Sequence, residues 1–183
     1  MKQTLYAYLV LLAVTAILSV GCVVTCTNPP FDISKAMVDE ALLGGWLVLD
    51  EEGGIVEFRR AAGETIDVFI TKRKERRGPI FNAYSAQEGA RRYLWLVLLE
   101  KGKTATDDGH ILVRYEVKGD KAVLWLLDRD KVKAAVTEGK LKGRSIGGEG
   151  EVRLSGPTEE VAAAVRDEHF WKKDLELKRV IVK

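Results

Sequence analysis

This 183-residue chain contains seven short predicted strands, several of which alternate apolar and polar side chains, and this period of two is the strongest constraint on its fold. Glycine-containing turns separate the segments, as expected for antiparallel strands that follow one another along the chain. Their number and close spacing predict a mainly β fold, built as an antiparallel meander or a partial barrel. The predicted strands are Trp46–Leu49, Ile55–Arg60, Thr65–Lys72, Ile80–Ser85, Arg92–Glu100, His110–Val117 and Ala122–Leu127.

Two of these strands are apolar on both faces, whereas alternation gives a polar face to the strands at Ile55–Arg60, Thr65–Lys72 and His110–Val117. They contain the sequences YLWLVLL at Tyr93–Leu99 and VLWLL at Val123–Leu127. A strand with two apolar faces is stable only when both faces are covered. We therefore expect other elements to pack on the outside of the sheet, over Trp95 and Trp125.

Helices predicted elsewhere in the chain can supply this cover. Asp130–Glu138 has one apolar face and a capping residue in Asp128 or Asp130. A second helix runs from Pro157 or Thr158 to Arg166, with proline at a favourable first position. The rest of the sequence predicts a short helix at Asp32–Leu43, a mobile loop at Lys140–Gly150 and strands at Val152–Ser155 and Leu175–Val182.

The N-terminus carries a targeting signal. No side chain between Lys2 and Asp32 is charged, and Leu5–Leu18 is an apolar run of the length found in signal peptides. The sequence that follows, Leu-Ser-Val-Gly-Cys ending at Cys22, resembles the lipobox of a bacterial lipoprotein. The resemblance implies cleavage before Cys22, acyl chains on Cys22, and therefore a membrane partner reached through the N-terminal lipid.

Two other interpretations of the N-terminus stay open. Leu5–Val24 is an uncharged stretch just long enough to act as an uncleaved membrane anchor. A secreted protein cut elsewhere, with a bridge between Cys22 and Cys26, is the third possibility. Both the lipoprotein and the anchor would hold the domain at a membrane.

On the lipoprotein interpretation the chain has three parts: a signal peptide at 1–21, a lipidated tether at 22–31 and one globular β-rich domain at 32–183. Two consecutive prolines end the tether segment Thr25–Pro30, which is predicted to be extended, with Cys26 as an unpaired thiol. Residue Val23 is not the aspartate that favours inner-membrane retention in Gram-negative lipoproteins. The resemblance therefore implies the periplasmic side of the outer membrane.

Gly44-Gly45-Trp46 opens the first strand, and this Gly-x-Trp sequence resembles the start of lipocalin-like barrels. In that family an arginine near the last strand stacks on the tryptophan, which makes Arg179 the expected partner of Trp46 through a cation–π contact. Residues 93–143 are also similar to small envelope lipoproteins of unknown function. These resemblances imply a lipocalin-like partial barrel with two or three accessory helices.

Composition argues against several classes of function. The formal net charge of +2 provides no field for nucleic acid. Two cysteines and two histidines cannot build a zinc site, and Asp107, Asp108 and His110 read as turn residues rather than metal ligands. The sequence spacing of the candidate residues does not indicate a nucleophile paired with a general base, and no motif indicates a cofactor. We expect a non-catalytic binding module; the alternative is an envelope hydrolase using carboxylates such as Asp50, Glu51, Asp107 or Asp108.

One hairpin turn is strongly basic. Its five cations are Lys72, Arg73, Lys74, Arg76 and Arg77. Such a turn either protects strand edges from aggregation while fully solvated, or contacts anionic lipid headgroups or an envelope polymer. The second interpretation requires the turn to face the membrane.

Overall fold

The computed structural model describes residues 24–49, 54–72, 75–76, 78–99, 109–146 and 151–181. These residues form a mainly β structure with two α-helices, as the sequence predicts. The strands are β1 (Val24–Cys26), β2 (Gly44–Val48), β3 (Ile55–Arg60), β4 (Ile66–Lys72), β5 (Glu75–Arg76), β6 (Phe81–Glu88), β7 (Arg91–Leu98), β8 (His110–Lys118), β9 (Lys121–Leu127), β10 (Gly143–Ile146), β11 (Glu151–Leu154) and β12 (Trp171–Val180). The helices are α1 (Arg129–Thr137) and α2 (Thr158–Arg166), and 3₁₀ turns cover Ile33–Lys35 and Glu168–Phe170.

Eight strands close into an antiparallel barrel. Around the ring they follow the order β2, β3, β4, β6, β7, β8, β9 and β12, and β12 pairs again with β2. At the β8–β9 pair Val113 lies opposite Leu126, and at the β12–β2 pair Leu177 lies opposite Val48. The expected mainly β, antiparallel fold is therefore confirmed, and the barrel is closed rather than partial.

The two ends of the barrel differ in how the strands are joined. At one end, named here the turn end, short connections at 61–65, 89–90 and 119–120 link successive strands. Gly89 and Gly119 take positive φ angles in the two-residue turns, a conformation that costs glycine little. The other end, named the loop end, carries the longer connections at 49–54, 73–80, 99–109 and 128–170.

Side chains fill the inside of the barrel. Phe58 is buried there while its neighbour Arg59 is exposed, as the alternating pattern predicts. Leu42, from the segment before β2, is fully buried and closes the lumen at the turn end. The largest buried side chains of this core include Trp46, Phe58, Ile66, Phe81, Leu94, Tyr115 and Leu177.

A second core lies on the outside of the barrel wall. β1 pairs antiparallel with β8, β11 pairs parallel with β1, and β10 lies outermost on β11. This outer core contains Trp95 of β7 together with Val132 of α1 and Val165 of α2. The expectation that the helices cover the apolar outer face is confirmed for Trp95, which is buried, while Trp125 is half-buried.

The predicted tether at Thr25–Pro30 is wrong in its first part. All three residues of β1 are buried between β8 and β11. Cys26 is therefore a buried core residue rather than a thiol in an exposed linker. The strand forms because of partners far along the chain, such as Val152 opposite Val24, and not because of its local sequence.

The predicted helix at Asp32–Leu43 is also wrong, since only Ile33–Lys35 forms a single 3₁₀ turn. Tertiary contacts hold the rest of the segment across the turn end. The backbone N–H of Met37 donates to the carbonyl oxygen of Ser85 at 3.1 Å, and Leu42 inserts into the lumen. A regular helix could not make both contacts.

The predicted loop at Lys140–Gly150 contains a strand instead, because Gly143–Ile146 forms β10; residues 147–150 lie outside the described residues. Gly143 explains part of this pairing. A Cβ atom at this position would lie 2.6 Å from the carbonyl oxygen of Arg153, so only glycine allows the close approach to β11.

Within the described residues, no helix has the length and the apolar character needed to cross a membrane.

Candidate functional site

The three residues of the predicted lipocalin-like motif meet at the turn end. The guanidinium carbon of Arg179 lies 4.2 Å from the ring centroid of Trp46. Arg179 also donates hydrogen bonds to the carbonyl oxygens of Leu43, at 2.8 Å, and Ala41, at 2.5 Å. The indole Nε1 of Trp46 donates to the carbonyl oxygen of Leu42 at 2.7 Å. The motif therefore fastens the segment before β2 across the barrel.

Gly44 is required by this arrangement. Its φ angle of +113° lies in a region that side chains other than glycine rarely adopt. A Cβ atom added there would lie 3.2 Å from Nη1 of Arg179. Gly44, Trp46 and Arg179 therefore form a structural lock, and their contacts leave the arginine occupied.

Asp39 provides a second fastening at the same end. Its carboxylate accepts hydrogen bonds from the hydroxyl of Tyr115 at 2.9 Å and from Arg92 at 3.1 Å. Burial and the Asp39 carboxylate raise the pKa of the Tyr115 phenol. Sequence reasoning missed this cluster because its three members come from distant parts of the chain. It holds the lumen closed and offers no free acid or base.

The basic turn lies at the loop end. It joins β4 to β5, with Lys72 opposite Glu75. The side chains of Lys72, Arg73, Lys74, Arg76 and Arg77 lie outside the described residues, and the same holds for Cys22 and for the carboxylates Asp50, Glu51, Asp107 and Asp108. The pairing of β4 with β5 therefore locates the basic turn at the loop end, without describing where its side chains lie.

Two exposed leucines lie at the same end. Leu49 follows β2 and is 50% exposed, and Leu99 follows β7 and is 41% exposed. β2 and β7 are on opposite sides of the eight-strand ring, since three strands separate them in either direction. Ile70, Ile80 and Leu98 at this end are only half-buried against the lumen core. Sequence reasoning did not single out these residues.

A groove of about 410 Å³ runs along the outside of the barrel between α2 and the end of β6. Its lining is apolar at Phe31, Ala162 and Val165. Tyr93 also lines it and is 1% exposed, and its hydroxyl has no hydrogen-bond partner among the described residues. Burial raises the pKa of this phenol.

Four of the charged residues on the rim of this groove form two ion pairs. Arg166 forms an ion pair with Glu88, and Lys35 lies 3.5 Å from Asp32. The hydrogen bond that Arg166 donates to the Glu88 carboxylate raises the pKa of Arg166, and the hydrogen bond that Ser34 donates to the Asp32 carboxylate lowers the pKa of Asp32. The groove therefore presents an apolar floor, one buried hydroxyl and two ion pairs, with Glu159 also in its lining.

A second cleft, of about 360 Å³, surrounds Arg114 on the outer wall. The guanidinium of Arg114 lies 4.7 Å from the ring centroid of Trp125 and 5.2 Å from that of Trp171. Arg114 also pairs with Glu168 at 2.5 Å, and this hydrogen bond lowers the pKa of the Glu168 carboxyl. Arg114 on β8 thus contacts two aromatic rings and forms an ion pair with Glu168. These contacts attach the 3₁₀ turn at Glu168–Phe170 to the barrel wall.

Cys26, the one cysteine in the described residues, has an unreactive thiol. Burial raises the pKa of the Cys26 thiol to about 12, so it stays protonated and unreactive at neutral pH. His110 lies opposite it, and burial lowers the pKa of the imidazole. No group of three or more His, Cys, Asp or Glu side chains in the described residues is arranged to hold a metal ion.

Comparison of the chain with protein-family models, with curated proteins and with solved structures finds no match to any of them.

Proposed function

We propose that this protein is a lipid-anchored protein of the bacterial cell envelope that acts by binding, without catalysis. The observation that supports the proposal best is the position of β1, which begins at Val24 and is buried along its whole length. If Cys22 carries acyl chains, Val23 alone separates the lipid from the folded sheet. The domain would then lie directly on the membrane surface.

The filled lumen favours binding on the outside of the barrel. Trp46, Phe58 and Leu94 occupy the interior, where lipocalin-like proteins have a cup. The surfaces left for a partner are the α2 groove and the loop end with its basic turn. We propose that the turn cations contact anionic lipid or an anionic envelope polymer, and that nucleic acid is not a partner.

The state of the charged groups supports a non-catalytic role. Several acids at the described surface sites are engaged in ion pairs, such as Asp39 with Arg92 and Glu168 with Arg114. A general acid or base needs a pKa near the working pH and a free path to its substrate.

The residue after Cys22 is valine rather than aspartate, so we propose the periplasmic side of the outer membrane as the location.

Intact-mass measurement of the protein extracted in detergent tests the proposed anchoring. We expect the wild-type protein to begin at Cys22 and to carry the added mass of acyl chains. Cys22→Ala should abolish this added mass, whereas the matched variant Cys26→Ala should keep it, because Cys26 is buried in the sheet. A wild-type protein without acyl mass would refute the proposed anchoring.

A further inference from the structure

We propose that the groove between α2 and the end of β6 binds a small amine that has an apolar body and one oxygen acceptor. This inference rests on the proposed binding role and deepens it, because it names a site and a class of ligand for that role. Three features of the described residues support it: the size of the groove, a carboxylate outside any ion pair, and a buried hydroxyl without a hydrogen-bond partner.

Three parts of the chain enclose the groove. Phe31 lies on the N-terminal segment, Ala86 is near the end of β6, and Ala162 belongs to α2. The volume of about 410 Å³ falls within the range of roughly 300–1,000 Å³ that is typical of small-molecule sites. Phe31 is only half-buried against the outer core, so it leaves apolar surface for a ligand to contact. The groove therefore has the size and the apolar surface that a small molecule requires.

The charged side chains in the lining sum to one negative charge. Lys35 pairs with Asp32. Arg166 pairs with Glu88, so these four charges cancel. Glu159 is exposed, and no ion pair within the described part of the chain includes it. This carboxylate favours a cationic ligand and disfavours an anionic one, such as a fatty acid.

The lining also contains the buried hydroxyl of Tyr93. This residue is 1% exposed, and its hydroxyl has no hydrogen-bond partner among the residues that the structure describes. Burial raises the pKa of the phenol, so the hydroxyl keeps its proton at neutral pH and can donate a hydrogen bond. A buried hydroxyl left unpaired costs free energy, and a ligand oxygen that accepts from it removes this cost. The hydroxyl therefore favours a ligand with an oxygen acceptor.

These two polar groups lie at opposite ends of α2. Glu159 is in the first turn of the helix, and Val165 is in its last turn. The indole of Trp171 donates to the carbonyl oxygen of Val165 at 2.7 Å, and its ring centroid lies 6.0 Å from that of Tyr93. Tyr93 is therefore close to the C-terminal end of α2. The helix rises about 9 Å between residues 159 and 165, the length of a short amine with an oxygen at its far end.

Isothermal titration calorimetry of the full chain in detergent tests the inference. The probe is para-methoxyphenethylamine, which combines an amine, an aromatic ring and an ether oxygen. Phenethylamine lacks the oxygen, para-ethylanisole lacks the amine, and para-methoxyhydrocinnamate carries a negative charge in place of the positive one. Titration into detergent without protein corrects for partitioning into micelles. We expect the probe to bind at one site, and each of the three matched compounds to bind several-fold more weakly.

Two substitutions separate the two polar contacts. Glu159→Gln should weaken the binding of both amines several-fold and leave para-ethylanisole unchanged. Tyr93→Phe should weaken the probe several-fold and leave phenethylamine unchanged, because only the probe has an oxygen for the hydroxyl. Glu160→Gln is the matched control, since Glu160 is the next residue on α2 but pairs with Lys142 and does not line the groove. The control should leave every affinity unchanged, and denaturation midpoints show that each variant keeps the fold.

Each other outcome overturns part of the inference. Equal affinity for the amine and for para-methoxyhydrocinnamate, or an unchanged affinity in Glu159→Gln, overturns the cationic preference. An unchanged affinity in Tyr93→Phe overturns the oxygen acceptor. Probe binding that weakens as protein concentration rises means that a second copy covers the groove, which overturns the small-molecule assignment.

Failure of this inference is distinguishable from failure of the proposed anchoring. No binding of any probe to protein that carries acyl mass overturns the groove assignment and leaves the anchoring intact. Protein without acyl mass refutes the anchoring, while the same titrations still decide whether the groove binds the amine.

Discussion

Cys26 and His110 lie directly opposite each other on β1 and β8, and the ring of His110 stacks on Trp95 with 4.8 Å between the ring centroids. Residues in opposed positions of an antiparallel pair point to the same face of the sheet. The thiol and the imidazole therefore both belong to the outer core, at the seam where the N-terminal strand joins the barrel. This seam supplies the first predictions.

We predict that His110 makes the protein less stable in mild acid. Burial lowers the pKa of the folded imidazole, so the unfolded chain binds the proton more readily. This part of the free energy of unfolding is present above the unfolded pKa of about 6.5 and is lost as the pH falls towards the folded pKa. Urea denaturation at several pH values measures it. His110→Phe keeps the ring stack without titrating, and should show a smaller loss than the wild type between these two pKa values.

Cys26 should react with an alkylating agent only after unfolding. Its thiol is buried, and burial raises its pKa to about 12. Mass spectrometry should show Cys26 unmodified in buffer and fully modified in denaturant. Modification of Cys26 in the native protein within the same time would show that β1 detaches from the sheet.

Removal of β1 should weaken the whole outer core. A chain that starts at Phe31 loses the strand that joins β8 to β11, and leaves Val152 and Leu112 without their cover. We expect a lower denaturation midpoint than for a matched chain that starts at Val23. Equal midpoints would mean that the β10–β11 pair is held by the helices alone.

The glycine of the turn-end lock should resist substitution more than an ordinary turn glycine. Gly44→Ala places a methyl group 3.2 Å from Arg179 in addition to the strain of a φ of +113°. We expect a loss of about 2–4 kcal/mol, whereas the control Gly119→Ala, with open space around it, should lose about 1–2 kcal/mol. Chemical denaturation of both variants gives the comparison, and similar losses would argue against the contact with Arg179.

Trp95→Ala should be among the most destabilising substitutions in the outer core. The side chain is fully buried in the hydrophobic cluster that also includes residues of both helices, so its removal should cost about 3–5 kcal/mol. Trp125→Ala should cost less because Trp125 is only half-buried, although it loses the stacking of Arg114. Denaturation midpoints that fall equally for the two variants would contradict this assignment of the outer core.

The barrel could be predicted from the sequence because its information is local. Alternation at Ile55–Arg60 and Ile66–Lys72 gives both the strands and the faces they bury. The Gly-x-Trp sequence led to Arg179, whose contact with Trp46 the structure contains. These features depend on spacing within a few residues, or on one family resemblance.

The rest depends on contacts between distant residues. β1 has only three residues and no alternation, and it is a strand because β8 and β11 offer their edges. The hydrogen bond from Tyr115 to Asp39 likewise joins two residues that are far apart in the sequence, and no local pattern predicts it. The leucines at positions 49 and 99 could not be grouped before the ring order was known. The candidate surfaces were therefore harder to predict than the fold.

The parallel pairing of β1 with β11 also sets an order of assembly. Val24 is among the first residues of the described fold to be synthesised, and its partner Val152 follows only after β2 to β10. Until residues 151–154 are available, Cys26 and its neighbours have only β8 as a partner and expose an apolar edge. Contacts so far apart in sequence form late, because the intervening chain must first be ordered. The segment nearest the start of the domain must thus wait for β11 before it is paired on both edges. Helix α2 and Trp171 of the same core are synthesised later still, which makes synthesis of nearly the whole described chain a condition for a finished outer core.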